Sequence, residues 1–218
     1  MEGKSRVVLG IDMENRKVKL KVPLKEKDVN QLELGDIVYL TGKIFSASQS
    51  FYIRIIDECK DPPFNPMECN VLFHVPPTVK RVGDTWEISA LTPTTSLAFE
   101  FWIRPAIKKL GIRAVIGKGP LKKRTAEAMR ELGAVYLTGI GGWAGVLYSS
   151  KVKFQNVYWL ELGIPQATWI FKAENFGPLL VTIDAHGHNL YEETNTKLEK
   201  KIRKIYKNLG IVYDKKLN

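Results

Sequence analysis

The chain of 218 residues is 44% hydrophobic and 26% charged, enough apolar material for one large globular domain or two small ones, which excludes a disordered, collagen-like or disulfide-scaffold protein. Its 33 Lys and Arg outnumber 23 Asp and Glu, and the net charge of +10 favours an anionic partner, whether nucleic acid, membrane surface or small polyanion, without naming one.

Residues 1–10 lack the continuous apolar stretch of a secretion signal, so the chain is expected in the cytoplasm. Up to about Ser46, alternating segments at 18–22 and 36–44 predict strands, separated by a polar stretch with Asn30 and Gly35. Pro62, Pro63 and Pro66 rule out regular structure between Asp61 and Asn70, and 71–73 and 86–91 read as two further strands. Beyond Pro93, strands and helices alternate. A strand at 114–116 leads to a helix over 121–132 with Leu121, Met129 and Leu132 inward, then a strand at 135–137 and a helix from about Gly142. Strands at 152–159, 167–171 and 179–183 follow. In the last helix Thr196 and Glu199 resemble a capping box, Leu198, Ile202, Ile205 and Leu209 share one face, and Gly210 stops it. The uncharged run 132–150 approaches spanning length. Its glycines, Gly133, Gly139, Gly141, Gly142 and Gly145, make a buried strand, turn and helix the better account.

Strands early and βα units later predict an α+β fold with mixed sheets, and residues 1–218 are taken as a single domain, with 191–218 a basic carboxy-terminal helix and tail. That segment carries eight Lys and Arg against four Asp and Glu, but no nucleic-acid-binding motif or interleaved aromatic platform. A solvated Lys- and Glu-rich face of the thermophile kind explains it better than nucleic-acid binding.

Three turns could carry chemistry. In 116–121, Gly117 and Gly119 flank Lys118 between a strand and a helix whose first position is expected to be Pro120. Exposed N–H groups, the positive helix end and Lys118 would make an anion site, although a tight turn on a basic surface has the same spacing. Lys122, Lys123 and Arg124 are expected in the first helical turn, where basic residues work against the dipole, so an acidic group nearby would make sense of them. Thr94, Thr95 and Ser96 follow a strand and precede an apolar segment, where hydroxyls serve as helix caps or as functional groups. The turn 138–143 is glycine-rich but lacks dinucleotide spacing and a following acidic residue. His186 and His188 lie two apart with no second ligand cluster, so no metal site is assigned. Cys59 and Cys69 match no zinc spacing and cannot supply the thiolates of an iron–sulfur cluster; they read as unpaired thiols of a reducing compartment, and any cluster must sit on another chain.

In order and separation, several segments resemble the β subunit, or carboxy-terminal domain, of class I iron–sulfur fumarate hydratases and the related L(+)-tartrate dehydratases. They are 40–44, 93–96, 116–119, Gly141-Gly142, 161–165, 174–178, 181–185 and 189–191, over about residues 10 to 192. The resemblance implies a swivelling β/β/α domain that closes over an α-type partner holding a [4Fe–4S] cluster, in an α2β2 assembly, with none bound by this chain alone. It implies reversible hydration of a small dicarboxylate, with Thr94 as the proton-transferring group and Lys118 contacting substrate, together with Thr95, Gly117 and Gly119. The family has an arginine and a histidine where this chain has Ser48 and Tyr52, and a second arginine where it has Ala98. Losing two charge-assisted contacts of about 1.5–3 kcal/mol each weakens fumarate binding by a factor on the order of hundreds or more. Arg54 and Arg104 are the candidate substitutes, though neither occupies the family position. The expectation is therefore a β subunit of a hydro-lyase of the fumarate hydratase or tartrate dehydratase type, acting on a small carboxylate with an α subunit; the alternatives are a non-catalytic binding or scaffolding paralogue on the same fold and a hydratase for a substrate other than fumarate.

Overall fold

The computed structural model describes residues 16–211; the leader position 1–10 and the tail end 212–218 lie outside the described residues. In chain order the elements are β1 (Lys17–Lys21), α1 (Glu26–Asn30), β2 (Ile37–Ser46), α2 (Gln49–Tyr52), β3 (Val71–Phe73), β4 (Thr78–Val82), β5 (Thr85–Ala90), α3 (Glu100–Leu110), β6 (Ala114–Gly117), α4 (Lys123–Leu132), β7 (Val135–Thr138), α5 (Ala144–Ser149), β8 (Val152–Tyr158), β9 (Thr168–Ile183) and α6 (Leu190–Asn208).

Alternation dictates how the strands are covered. Val71 and Phe73 join one core cluster and Leu72 another; the same split separates Ala114 and Ile116 from Val115, and Val135 and Leu137 from Tyr136. Successive strand side chains point to opposite faces, so both faces of β3, β6 and β7 are buried, as parallel strands require. One face packs on α3 and α4 through Ile103, Ile107, Ala126 and Met129, each large aliphatic side chain contributing roughly 1.5–3 kcal/mol. The sheet order is β1-β2-β3-β6-β7-β9-β8, and β9 also pairs antiparallel with β2. Pairing therefore runs in a closed circuit from β2 through β3, β6, β7 and β9 back to β2. The carboxyl ends of β3 and β6 lie side by side, the place where α/β sheets leave room for ligands.

The mixed sheets and interspersed helices match the α+β expectation, but several details differ from the sequence pattern. The two strands at 167–171 and 179–183 are one strand, β9, whose irregular middle is taken up as register shifts against β2. The hairpin β4–β5 has a first strand that the pattern did not mark, because Thr78–Val82 is largely exposed and shows no apolar face. The last helix starts at Leu190 rather than Thr196. Asn189 caps it by accepting from Tyr191 N and Glu192 N, while Thr196 donates to Glu192 O inside the helix. The apolar face of α6 is solvent-exposed at Ile205 and Leu209. The uncharged run 132–150 divides into the end of α4, β7 and α5, and among the described residues no helix is long and apolar enough to cross a membrane.

Candidate active site

Main-chain hydrogen bonds tie together the ends of β3 and β6 and the loop before α3. Thr94 N donates to His74 O at 2.8 Å, Lys118 N to Thr94 O at 3.1 Å and Ser96 N to Lys118 O at 3.1 Å. Thr95 and Lys118 thus form an isolated parallel bridge, and the hydroxyl triplet runs as a short extra strand beside the lysine. A 3₁₀ turn, Ser96–Phe99, then leads into α3; its N-cap is Thr95, which makes no side-chain capping bond, so helix capping does not account for that hydroxyl.

Thr94 lines a cavity of about 330 Å³ with Ser48, Ala98, Phe99, Pro165 and Gln166 among its other walls, and no charged side chain lines it. Ser48 caps α2, accepting from Phe51 N at 3.4 Å, and its hydroxyl donates to Gln166 O at 2.8 Å. Ser48 and Ala98, the two positions at which the resemblance implies arginines, therefore share one cavity with Thr94. Neither candidate substitute lines it. Arg54 pairs with Glu161 at 3.0 Å and lies over the Trp159 ring, and Arg104 pairs with Glu131 at 2.7 Å.

Lys118 lies over the third turn. A Cβ on Gly141 would sit 3.3 Å from Lys118 Cδ and 3.8 Å from its Nζ. The other glycines of that turn serve packing: a Cβ on Gly139 would meet Pro93 Cγ at 2.8 Å, and one on Gly145 would meet Thr92 Oγ1 at 2.3 Å. All three glycine- and hydroxyl-rich turns thus converge.

The helix-end anion site is not what the spacing suggested. Pro120 is outside the helix, α4 begins at Lys123, and Lys122 is its N-cap. The acidic group that explains the basic turn is Glu100, a buried residue of this chain. It accepts from Lys122 N at 2.6 Å, Thr125 Oγ1 at 2.9 Å and Arg124 Nε at 3.1 Å. Burial pushes that carboxyl up, but the three donors and the Arg124 charge together hold it below its ordinary range. The positive end of α4 is already filled, and Lys118 is left as a point charge on a loop.

One residue escaped the sequence pattern. His74, just past the end of β3, is fully buried, with Nδ1 2.7 Å from Ser96 Oγ and Nε2 2.6 Å from Tyr52 OH; Tyr136 OH donates to Ser96 Oγ at 2.9 Å. Burial pushes the imidazole down to about 3 and raises both tyrosines, so the ring is neutral at physiological pH. Gly117 makes room for this network, since a Cβ there would sit 1.8 Å from Ser96 Oγ. Its position at the carboxyl end of a buried parallel strand is the one signal that could have marked His74. The noticed pair is elsewhere: His188 Nδ1 bonds Asp184 at 2.8 Å and His186 Nε2 lies 3.1 Å from Asn30 O.

The Fumarase C-terminus family matches residues 3–194. Over 179 residues the chain is 34% identical to the L(+)-tartrate dehydratase subunit beta of Escherichia coli K12, covering 82% of this chain and 88% of that one. A Methanocaldococcus jannaschii protein, provisionally given the same name, is 40% identical over 84% of this chain and 95% of its own length. A Geobacillus stearothermophilus protein, provisionally named fumarate hydratase class I, is 35% identical over 87% of this chain but only 36% of its own length.

The chain belongs to the fumarase C-terminal family. It is accordingly a hydro-lyase subunit of the β type. Its own residues do not fit an iron–sulfur cluster: Cys59 is exposed, Cys69 is buried with its thiol pushed up to about 12, and two thiols fall short of the required ligand number. Among the described residues no group of three or more His, Cys, Asp or Glu could hold a metal ion.

Proposed function

We propose that this chain works with an α-type subunit carrying the [4Fe–4S] cluster, as a swivelling domain that closes over it, and that the pair reversibly hydrates a small carboxylate in the cytoplasm. One observation carries the assignment of roles: Thr94 and Lys118 are joined by a main-chain hydrogen bond, and Thr94 opens into the cavity that holds Ser48 and Ala98. In this arrangement Thr94 holds or moves a proton at Oγ1, and Lys118 supplies the positive charge that binds and orients a carboxylate. Thr95, Gly117 and Gly119 shape the loop against which substrate rests; Gly119 has φ +79°, a backbone that glycine adopts without strain. Residues 1–218 act as one unit, and an α2β2 assembly follows from the family.

L(+)-tartrate is the substrate in the names of two relatives and the first to be tried; the uncharged polar walls Ser48, Thr94 and Gln166 suit the hydroxyl groups that tartrate has and fumarate lacks, which supports a preference away from fumarate. The test is turnover of L(+)-tartrate and fumarate by the purified αβ complex, prepared anaerobically with its iron retained. Thr94→Ala should abolish turnover, and Lys118→Ala should mainly raise KM, by roughly 10- to 100-fold. The reverse pattern would show the roles exchanged, and rapid fumarate hydration would sink the proposed preference. The lack of any charged side chain in the cavity also favours a second function, a non-catalytic scaffold; an iron-loaded complex inert toward small hydroxy and unsaturated dicarboxylates would support it.

A further inference from the structure

We propose that His74 is the positioning residue of this site, holding Thr94 and Lys118 in register with each other and with α2 through the buried chain Tyr52–His74–Ser96–Tyr136; the proposal rests on the roles given above to Thr94 and Lys118. His74 grips the hydroxyl loop at two points. Its carbonyl accepts from Thr94 N and its ring meets Ser96 Oγ, so the residue on either side of Thr95 is tied to the same histidine. Its own N–H donates to Ile116 O, which sets it against the strand that delivers Lys118. From the other side Tyr52 OH fixes the ring, and Tyr52 closes α2, the helix that Ser48 begins at the cavity wall. The histidine therefore bonds directly to elements bearing three features of the site: the Thr94 loop, the Lys118 strand and the cavity wall.

Hydrogen counting shows why a neutral imidazole suits this place. The three hydroxyls and the one ring N–H offer four hydrogens to three bonds, and each ring nitrogen has an oxygen opposite it. With one nitrogen donating and the other accepting, the ring reads both neighbours at once; a Phe or Leu of similar bulk reads neither. A Cβ at Gly117 would also fall 3.2 Å from His74 Nδ1 and 3.1 Å from Tyr136 OH, so the strand behind Lys118 is shaped to admit this network.

Ser96→Ala and Tyr52→Phe cut the chain at either side of the ring while sparing bulk, and are measured in the αβ complex against whichever carboxylate it turns over. Ser96→Ala should lower kcat tenfold or more and Tyr52→Phe by about threefold to tenfold, each with KM within about threefold. His74→Asn, which can still bond Ser96, should retain more kcat than His74→Leu. Wild-type kcat in both Ser96→Ala and Tyr52→Phe, with only the melting temperature lowered, would overturn the proposal and leave the network a structural one. If the wild-type complex turns over nothing, the parent function fails and amide exchange on the full chain decides. Exchange at Thr94 and Lys118 at least tenfold faster in Ser96→Ala supports positioning by His74, and unchanged exchange overturns it.

Discussion

His74 and His188 each hold an imidazole Nδ1 within 2.7–2.8 Å of an oxygen, yet the two sites move the ring in opposite directions. Around His74 every partner is a neutral hydroxyl and burial is complete, so the charged form is disfavoured and the ring is pushed down to about 3. His188 is exposed, and the Asp184 carboxylate that it bonds raises it above its ordinary value. A buried carboxylate beside a solvent-exposed ring recruits a proton to histidine, whereas hydroxyls around a ring in a dry core keep it off. Only the buried ring can act as a fixed donor and acceptor pair at every physiological pH.

The strongest way to break this contrast is to fill the space that the buried network needs. Gly117→Ala places a Cβ 1.8 Å from Ser96 Oγ and should cost about 3 kcal/mol or more of stability, read by denaturant unfolding. A second experiment uses acid. As pH falls below 6.5 the unfolded chain protonates His74 and the folded chain does not, so stability is lost from there down toward about pH 3. Relative to His74→Gln, wild type should lose ~3 kcal/mol more between pH 7 and pH 4, and equal losses would show that the ring takes up its proton in place. The smallest effect is at the exposed site. The His188 stabilisation is full below pH 6.5 and disappears as pH rises through its raised folded value. Asp184→Asn should return the His188 titration toward 6.5 in an NMR experiment, at a stability cost of about 1–2 kcal/mol, because the buried Asp184 carboxylate also accepts from His186 N and His188 N.

The legibility of this chain follows the range of its interactions. Residues 71–73 stood out because three apolar residues after a proline-rich stretch admit few alternatives, and β3 has those ends. Thr94, Lys118 and Gly141 were each visible as turn residues, but only the register of β3 and β6 and the folding back of the third turn bring them together. His74 was hidden because Tyr52 and Ser96 each lie 22 residues away in sequence, and nothing in its immediate neighbours marks a buried ring. The start of α4 was misplaced for a related reason: Glu100, 22 residues upstream, supplies the acceptor that a local cap would otherwise provide. The start of α6 is a local matter: Asn189 before Leu190 is the cap, and the capping-box pattern of Thr196 and Glu199 falls in the helix interior, where Thr196 donates to Glu192 O.

The closed circuit of strand pairing has a consequence for how the chain is made. Asn175 N bonds Thr41 Oγ1 across 134 residues, and β9 is the strand that seals β2 to β7. At roughly 5–20 residues per second on the ribosome, β2 waits on the order of ten seconds with one hydrogen-bonding edge open before its partner emerges. During that interval the strand is a template for pairing with any other nascent chain. Contacts this distant in sequence also slow closure after release. For a subunit that must meet a second polypeptide, β9, the last of the described strands to leave the ribosome, therefore sets when the sheet is complete enough to assemble.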